Sequence, residues 1–399
     1  MNNNPNYIKK IGVHIFLLML YLINPFDKGF LAGYLIILLI YINPKFILKN
    51  IDSTFFSLIL FSLVYAGFYL FDMKQGVQWL LIYALFPSSI YLLGKKVTPY
   101  IKKPMHLFYI IFTLGFLYSL TGLISVGFNL LEGGFVQLGR SIPDFWTGKE
   151  KLATAMGAFF IFNMAIPGLL IVGKKKLPLF FKLVTFGIFI ASLLCVFRLG
   201  SRTQISLVVL SILIAIVYLL KSQNTISNIK LLLGIVTITL LAYNYLSIDL
   251  DADYLSSLGE RLQSSDNASS AGGRTQRWEK SIINLYKKPL GWDVREFGYS
   301  HNMWFDAARN GSIISFILLL IFSIQSFKNI KQAINLNKQN TLFNATILIY
   351  NIVIFSQLFV EPALESLFIL FAFFCFIQGV INAYITLEEK KKLTSNINI

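Results

Sequence analysis

The chain has 399 residues, 56% hydrophobic and 14% charged, where soluble domains hold about 45–50% apolar and about 25% charged residues. An ordinary soluble enzyme is excluded, and 37 phenylalanines exclude a disordered polar chain. Lysine plus arginine outnumber aspartate plus glutamate 35 to 19, and in so apolar a chain the excess base anchors loops at a lipid bilayer and marks no nucleic-acid partner.

A helix needs about 20 apolar residues to cross the hydrocarbon core. Twelve candidate stretches follow in chain order: 10–23, 30–44, 54–71, 76–94, 105–129, 152–173, 179–197, 203–220, 231–246, 306–327, 341–360 and 366–386. The first two are short, which allows a tight hairpin through Asn24, Pro25 and Asp27. The first run follows Lys9 and Lys10 and lacks a small-x-small cleavage site, so it reads as a retained helix. The two cysteines, Cys195 and Cys375, both sit inside apolar runs and suggest no disulfide framework. The predicted fold class is all-α: a polytopic transmembrane helix bundle of about 12 spans with a large helical outer loop. Residues 1–246 would hold spans one to nine, 247–305 the outer loop with its amphipathic helices, and 306–399 the last three spans and a tail.

Counting basic residues in alternate loops orients the chain. One set, from Lys9/Lys10 through Lys45/Lys49, Lys95/Lys96/Lys102/Lys103, Lys174–Lys176/Lys182, Lys221/Lys230 and Lys328/Lys331/Lys338 to Lys390–Lys392, holds 20 residues, and the other holds 15. The richer set lies in short loops and is expected in the cytoplasm with both termini. All eight arginines fall in the other set. Lysine suffices to anchor a loop, whereas guanidinium is favoured where phosphate or carboxylate is gripped by two bonds at once. The arginine-rich outer face therefore suggests an anionic ligand.

Arg198 and Arg202 flank a short link between two spans. They would share a face if helical, although Gly200 favours a turn equally, and snorkelling to the interface is the plain alternative. In the large loop, Asp249, Asp251 and Asp253 precede an amphipathic stretch with Tyr254, Leu255, Leu258 and Leu262. Acids before a helix N-terminus explain this better than a metal element. Residues 263–273, rich in Ser, Asn, Ala and Gly, read as a link. A second loop helix opens at Gly273-Arg274-Thr275-Gln276-Arg277-Trp278, repeats Trp278, Ile282, Leu285 and Tyr286 at helical spacing, and stops at Lys287-Lys288-Pro289. Arg274 and Arg277 stand in its first turn, where basic side chains are disfavoured by the dipole unless an anion binds there; a surface role is the alternative. Pro289-Leu-Gly291-Trp292 and Tyr299-Ser-His301-Asn302 close the loop. His301 stands where the chain re-enters the membrane. An ordinary histidine pKa near about 6.5 suits proton transfer, and a helix-start hydrogen bond is the competing role. Asp306 and Arg309 could pair at i,i+3. Glu361 and Glu365 are carboxylates with no evident task. Walker loops, dinucleotide turns, zinc spacings and HExxH are lacking, so no cofactor and no metal are expected.

Gly273-Arg274-x-x-x-Trp278, then Pro289-Leu-Gly291, then His301-Asn302 before a span with Gly311, together with Ser201-Arg202 upstream, form a pattern. It resembles the signature region of the O-antigen ligase and polysaccharide polymerase family of bacterial membrane proteins, over roughly residues 198–312. The resemblance implies an inverting, lipid-linked glycan transferase in the bacterial inner membrane. Its donor would be an undecaprenyl-diphosphate-linked glycan at the outer leaflet, and its acceptor a glycan or a lipid-linked sugar. By position, Arg202 and Arg274 would hold the diphosphate and His301 would serve the acceptor hydroxyl. Arg198, Arg277, Trp278 and Asn302 are the expected substrate-binding residues. Guanidiniums aimed at the leaving group stabilise the transition state by about 3 kcal/mol per donor in comparable sites. Other polysaccharide-assembly proteins are expected partners. A polymerase is favoured over a ligase because no added soluble domain is evident. A transporter or flippase is the reading from another class, and charges at span centres, which would support it, are nearly lacking.

Overall fold

The computed structural model describes residues 5–101, 103–136, 139–245, 249, 252–263 and 273–397. Of the sequence features singled out above, Lys102, Asp251 and most of the link after Gln263 lie outside them. The described chain is almost wholly helical; its only strands are Ile142–Pro143 and Glu150–Lys151. All twelve apolar stretches fall on helix. Eight described helices are long and apolar enough to cross a bilayer, which makes this a polytopic helical bundle. The other four stretches fall on Gly29–Tyr41 and Ser53–Tyr69, which are shorter apolar helices, and on Gly12–Ile23 and Thr225–Thr237, which are apolar parts of the helices Pro5–Ile23 and Thr225–Tyr245. Eight candidate crossings are thus counted among the described residues where about twelve were expected; Gly29–Tyr41 and Ser53–Tyr69, at 13 and 17 residues and about 1.5 Å per residue, fall short of a core about 30 Å thick.

By packing the chain divides into two units: 1–121 with 266–347 and 354–399, and 122–265 with 348–353. This follows contacts between helices, not the order of spans and loop used in the sequence reading.

The first unit is built on four helices, α1 (Ser53–Tyr69), α2 (Gln78–Val97), α3 (Met303–Leu336) and α4 (Phe368–Ile397). Lipid tails are as apolar as leucine, so such helices associate by close approach and by polar bonds. Gly94 of α2 and Gly379 of α4 supply the approach: a Cβ on either would strike the facing backbone, at Phe376 and Tyr91 respectively. Polar bonds tie one end. Asp52 caps α1 by accepting from the Phe55 N–H at 2.8 Å, and it also accepts from Lys95 Nζ at 2.5 Å and Tyr91 Oη at 2.8 Å. Thr54 Oγ1 accepts from Asn329 and Asn382. The opposite end gathers Tyr69, Gln75, Tyr83 and the 361–367 turn.

Helix α3 begins at Met303, three residues before the expected start, and is broken at Gly311 and Ser312, where Ser312 has φ +72°. The break frees backbone groups, and the preceding loop takes them. The Trp292 N–H donates to the Arg309 carbonyl at 3.2 Å, and the Ile313 N–H donates to the Pro289 carbonyl at 2.8 Å. Gly291 has φ +117°, and a Cβ there would strike the Arg309 carbonyl. The Pro-Leu-Gly segment is thus a plug for the helix break, and only glycine fits its tip.

The second unit contains a helical stretch over Ala153–Lys175, with α5 (Leu179–Arg198), α6 (Arg202–Ser222) and α7 (Thr225–Tyr245). Gly168 meets the Ser211 backbone, and Asn163 Nδ2 donates to Ser192 Oγ at 2.8 Å. Large apolar side chains along α5, including Leu179, Phe180, Leu183 and Phe186, are exposed as a lipid-facing surface requires. Strands β1 (Ile142–Pro143) and β2 (Glu150–Lys151) form an antiparallel hairpin. Asp144 organises its turn, accepting from the Trp146 and Thr147 N–H groups at 3.0 and 3.1 Å and from Lys151 Nζ at 2.7 Å.

Candidate functional site

In the first unit the site is a short bend, residues 299–302, held from several sides. The loop helix α8 (Arg274–Lys287) matches its predicted bounds and starts behind Gly273, whose φ of +76° suits glycine. Its buried face meets the bend. Trp278 Nε1 donates to the Ser300 carbonyl at 2.9 Å, and the Ser281 and Ser300 hydroxyls lie 2.7 Å apart. Asp306, one turn into α3, accepts from the Ser300 N–H at 3.0 Å and from the Asn302 N–H at 3.2 Å. Asn302 caps α3 through the Trp304 and Phe305 N–H groups, and its amide donates to the Phe359 carbonyl at 3.2 Å. His301, between these fixed neighbours, has φ +52°. A left-handed conformation costs a residue with a Cβ roughly 1–2 kcal/mol. It persists because the clamp over-determines it, a situation typical of functional sites.

The imidazole is 28% exposed, and its Nδ1 lies 3.5 Å from Glu361 Oε2. The other oxygen of Glu361 accepts from Arg274 Nη2 at 3.1 Å. Glu361 itself is buried, while the Arg274 side chain is 22% exposed. One buried carboxylate thus joins a histidine to an arginine, and both of those reach the surface.

Beneath them lies a second charge cluster. Arg309 Nη2 bonds Glu365 at 2.5 Å and Arg309 Nε approaches Asp306 at 3.5 Å. Asn310 also donates to Glu365. The Arg309 guanidinium lies 5.1 Å from the centroid of the Tyr299 ring. Burial raises the Tyr299 hydroxyl pKa above its ordinary value, the Glu365 charge adds to this, and Arg309 opposes it. The i,i+3 pairing of Asp306 with Arg309 is present, and Asp306 has the further task of clamping the histidine bend.

In the second unit the α5–α6 link is a turn, with Gly200 at φ +56°, and not a continuous helix carrying two arginines on one face. Arg198 is 1% exposed and donates to Asn129 Oδ1 and to the Gly139 carbonyl, both at 3.0 Å. Snorkelling does not describe a side chain so buried. Arg140 donates two bonds to the Leu199 carbonyl, at 3.1 and 2.8 Å. Burial lowers the Arg140 pKa, and the positive charges of Arg202 and Arg198 lower it further. Three guanidiniums therefore gather at this turn, with Arg202 at the first position of α6.

The structure thus brings Arg274 and His301 together through Glu361. Arg198 and Arg202 lie in the second unit. Trp278 and Asn302 were expected to touch substrate, but their polar groups are spent on the scaffold. Arg277 Nη1 donates to the Tyr299 carbonyl at 3.4 Å. Sequence reasoning did not single out Glu361, Glu365 and Arg140 as partners of these groups. For the two acids a signal was present: two carboxylates four residues apart at the turn between the last two apolar stretches, in a chain with few acids, need cations nearby. Among the described residues, no group of three or more His, Cys, Asp or Glu side chains is placed to hold a metal ion. No protein-family model matches this chain, and no curated protein matches it either.

Proposed function

We propose that the protein is a bacterial surface-polysaccharide polymerase, an inverting, metal-independent glycosyltransferase of the O-antigen type. The observation that carries this reading is the strained, clamped, surface-reaching His301 beside the Glu361–Arg274 pair. Arg274 binds the diphosphate of an undecaprenyl-diphosphate-linked glycan, and in the second unit Arg202 is a separate anion-binding group. The acceptor sugar hydroxyl attacks the anomeric carbon of the donor. The new carbon–oxygen bond forms as the bond to the diphosphate breaks, and its electron pair leaves with the polyprenyl diphosphate. The hydroxyl proton passes to His301 Nε2 and then to solvent. A base so placed contributes about 10²–10⁴-fold. The 247–305 loop faces outward from the plasma membrane, and both termini are cytoplasmic.

The test is transfer by the purified protein in lipid nanodiscs from a labelled lipid-linked donor. A ladder of lengthening products supports the polymerase. A single addition to a lipid A core acceptor selects the ligase, whose donor half would be the same. His301→Asn keeps a residue that tolerates the left-handed conformation but cannot take the proton; transfer should fall at least about 10²-fold. Passage of intact donor across a vesicle membrane, with no transfer, would replace the enzyme by a transporter.

A further inference from the structure

We infer that Glu361 is a positioning residue that changes partners: it holds Arg274 while the diphosphate site is empty, and it passes to His301 when a diphosphate takes Arg274. The inference rests on the donor-binding role just proposed for Arg274, and it concerns residues of the first unit alone.

Three observations carry it. First, the carboxylate is divided, with one oxygen to each partner and unequal distances. The 3.1 Å contact to Arg274 Nη2 is a charge-assisted hydrogen bond. The 3.5 Å contact to His301 Nδ1 lies beyond the normal range of about 2.7–3.2 Å. Glu361 is therefore committed to the arginine. Second, Glu361 is buried, so it has no bulk water to turn to when it loses a partner. Third, the histidine backbone is immobilised by Asp306, Ser281, Trp278 and the Phe359 carbonyl, so the imidazole is a fixed target for the carboxylate.

Arg274 can form a two-bond fork to a phosphate, and it gives Glu361 a single bond. An incoming diphosphate therefore outcompetes the carboxylate and repels it. His301 Nδ1, 3.5 Å from the other carboxylate oxygen, is within reach as a hydrogen-bond donor. A carboxylate bonded to Nδ1–H places the ring proton there and leaves Nε2 with its lone pair toward the acceptor, the logic by which a buried acid orients a catalytic histidine. The base is thus set only when a donor is bound, which protects the site from misplaced proton transfer in its absence.

The probe is inorganic pyrophosphate with the full-length protein in detergent, labelled with ¹⁵N-histidine. His301 is assigned by its loss in His301→Asn. At a pH where the ring is neutral, saturating pyrophosphate should raise the ratio of the Nδ1–H to the Nε2–H tautomer of His301 about tenfold, within the usual span of coupling between linked sites. Glu361→Gln should bind pyrophosphate more tightly, by a similar factor, because the competing charge is gone. It should show no tautomer change. A wild-type tautomer ratio unmoved by pyrophosphate, or no pyrophosphate binding at millimolar concentration, overturns the inference without any variant. A change that persists in Glu361→Gln also overturns it, since the anion would then act on the ring directly. These measurements contain no glycan, so failure of the transferase reading would show in the transfer assay and not here.

Discussion

Asp306 grips the backbone on both sides of His301, taking the Ser300 and Asn302 N–H groups on its two carboxylate oxygens. Because Asp306 is itself buried against Arg309, and Arg309 against Glu365, the histidine bend is fixed by a chain of charges reaching into the helix core. Strain at His301 is local, while its support is spread over α3, the loop helix α8 and the 359–365 turn.

If the conformation of His301 serves chemistry and not folding, removing its Cβ should relieve strain. His301→Gly is expected to melt at or slightly above the wild-type temperature, with the roughly 1–2 kcal/mol left-handed cost removed, and to lose glycan transfer. His301→Val should melt several degrees lower, since β-branched residues are genuine outliers at positive φ. Thermal unfolding in detergent checks both. A His301→Gly protein melting well below wild type would show that the imidazole itself holds the fold.

Gly291 and Gly298 both have positive φ, +117° and +81°, but only Gly291 faces backbone. Gly298→Ala should cost about 1 kcal/mol from conformation alone. Gly291→Ala must also push the Arg309 carbonyl away, and it should lower the melting temperature clearly more. Equal effects would mean that the 289–292 plug does not support the break in α3.

A lysine at position 274 or 202 retains the charge but not the fork. Arg274→Lys and Arg202→Lys should each reduce transfer by about tenfold or more, the equivalent of about 1.4 kcal/mol. Activity within about twofold of wild type would reject two-bond recognition of phosphate at that position.

Burial favours the neutral acid at Asp144, but Lys151 and the Trp146 and Thr147 donors outweigh it and hold the carboxyl below the ordinary value of 3.8. A lowered folded-state pKa gives stability that is fully present above the ordinary value and is lost as pH falls through the lowered one. Protection of residues 140–151 against hydrogen exchange should therefore be unchanged between about pH 8 and about pH 5 and should collapse only in stronger acid. Asp144→Asn should be less protected at neutral pH and should lack the acid step. The same acid step in the variant would assign it to another group.

Sidedness can be read with an impermeant thiol reagent, since Cys195 and Cys375 are both buried. A cysteine in place of exposed Tyr286 should label from outside intact cells, and one in place of Lys392 only after lysis. Outside labelling at position 392 would invert the proposed topology.

The bounds of α8, the apolar stretches and the Asp306–Arg309 pair were legible in the sequence, because each depends on neighbours within a few residues and on the fixed rise and pitch of a helix. The resemblance directed attention to Arg274 and His301 for the same local reason, a short run of spaced residues. What joins those two residues was not legible. Glu361 lies 60 residues from His301 and 87 from Arg274, and Arg140 lies 59 from the Leu199 carbonyl it caps. Nothing periodic or local encodes such pairings; they arise when helices pack and a buried charge must find its counter-charge. Trp278 and Asn302 read as binding residues because aromatic and amide groups often are, and only the folded chain showed their polar atoms spent on the bend. The sequence thus determined the helices and the chemistry they carry, and packing decided which charges meet.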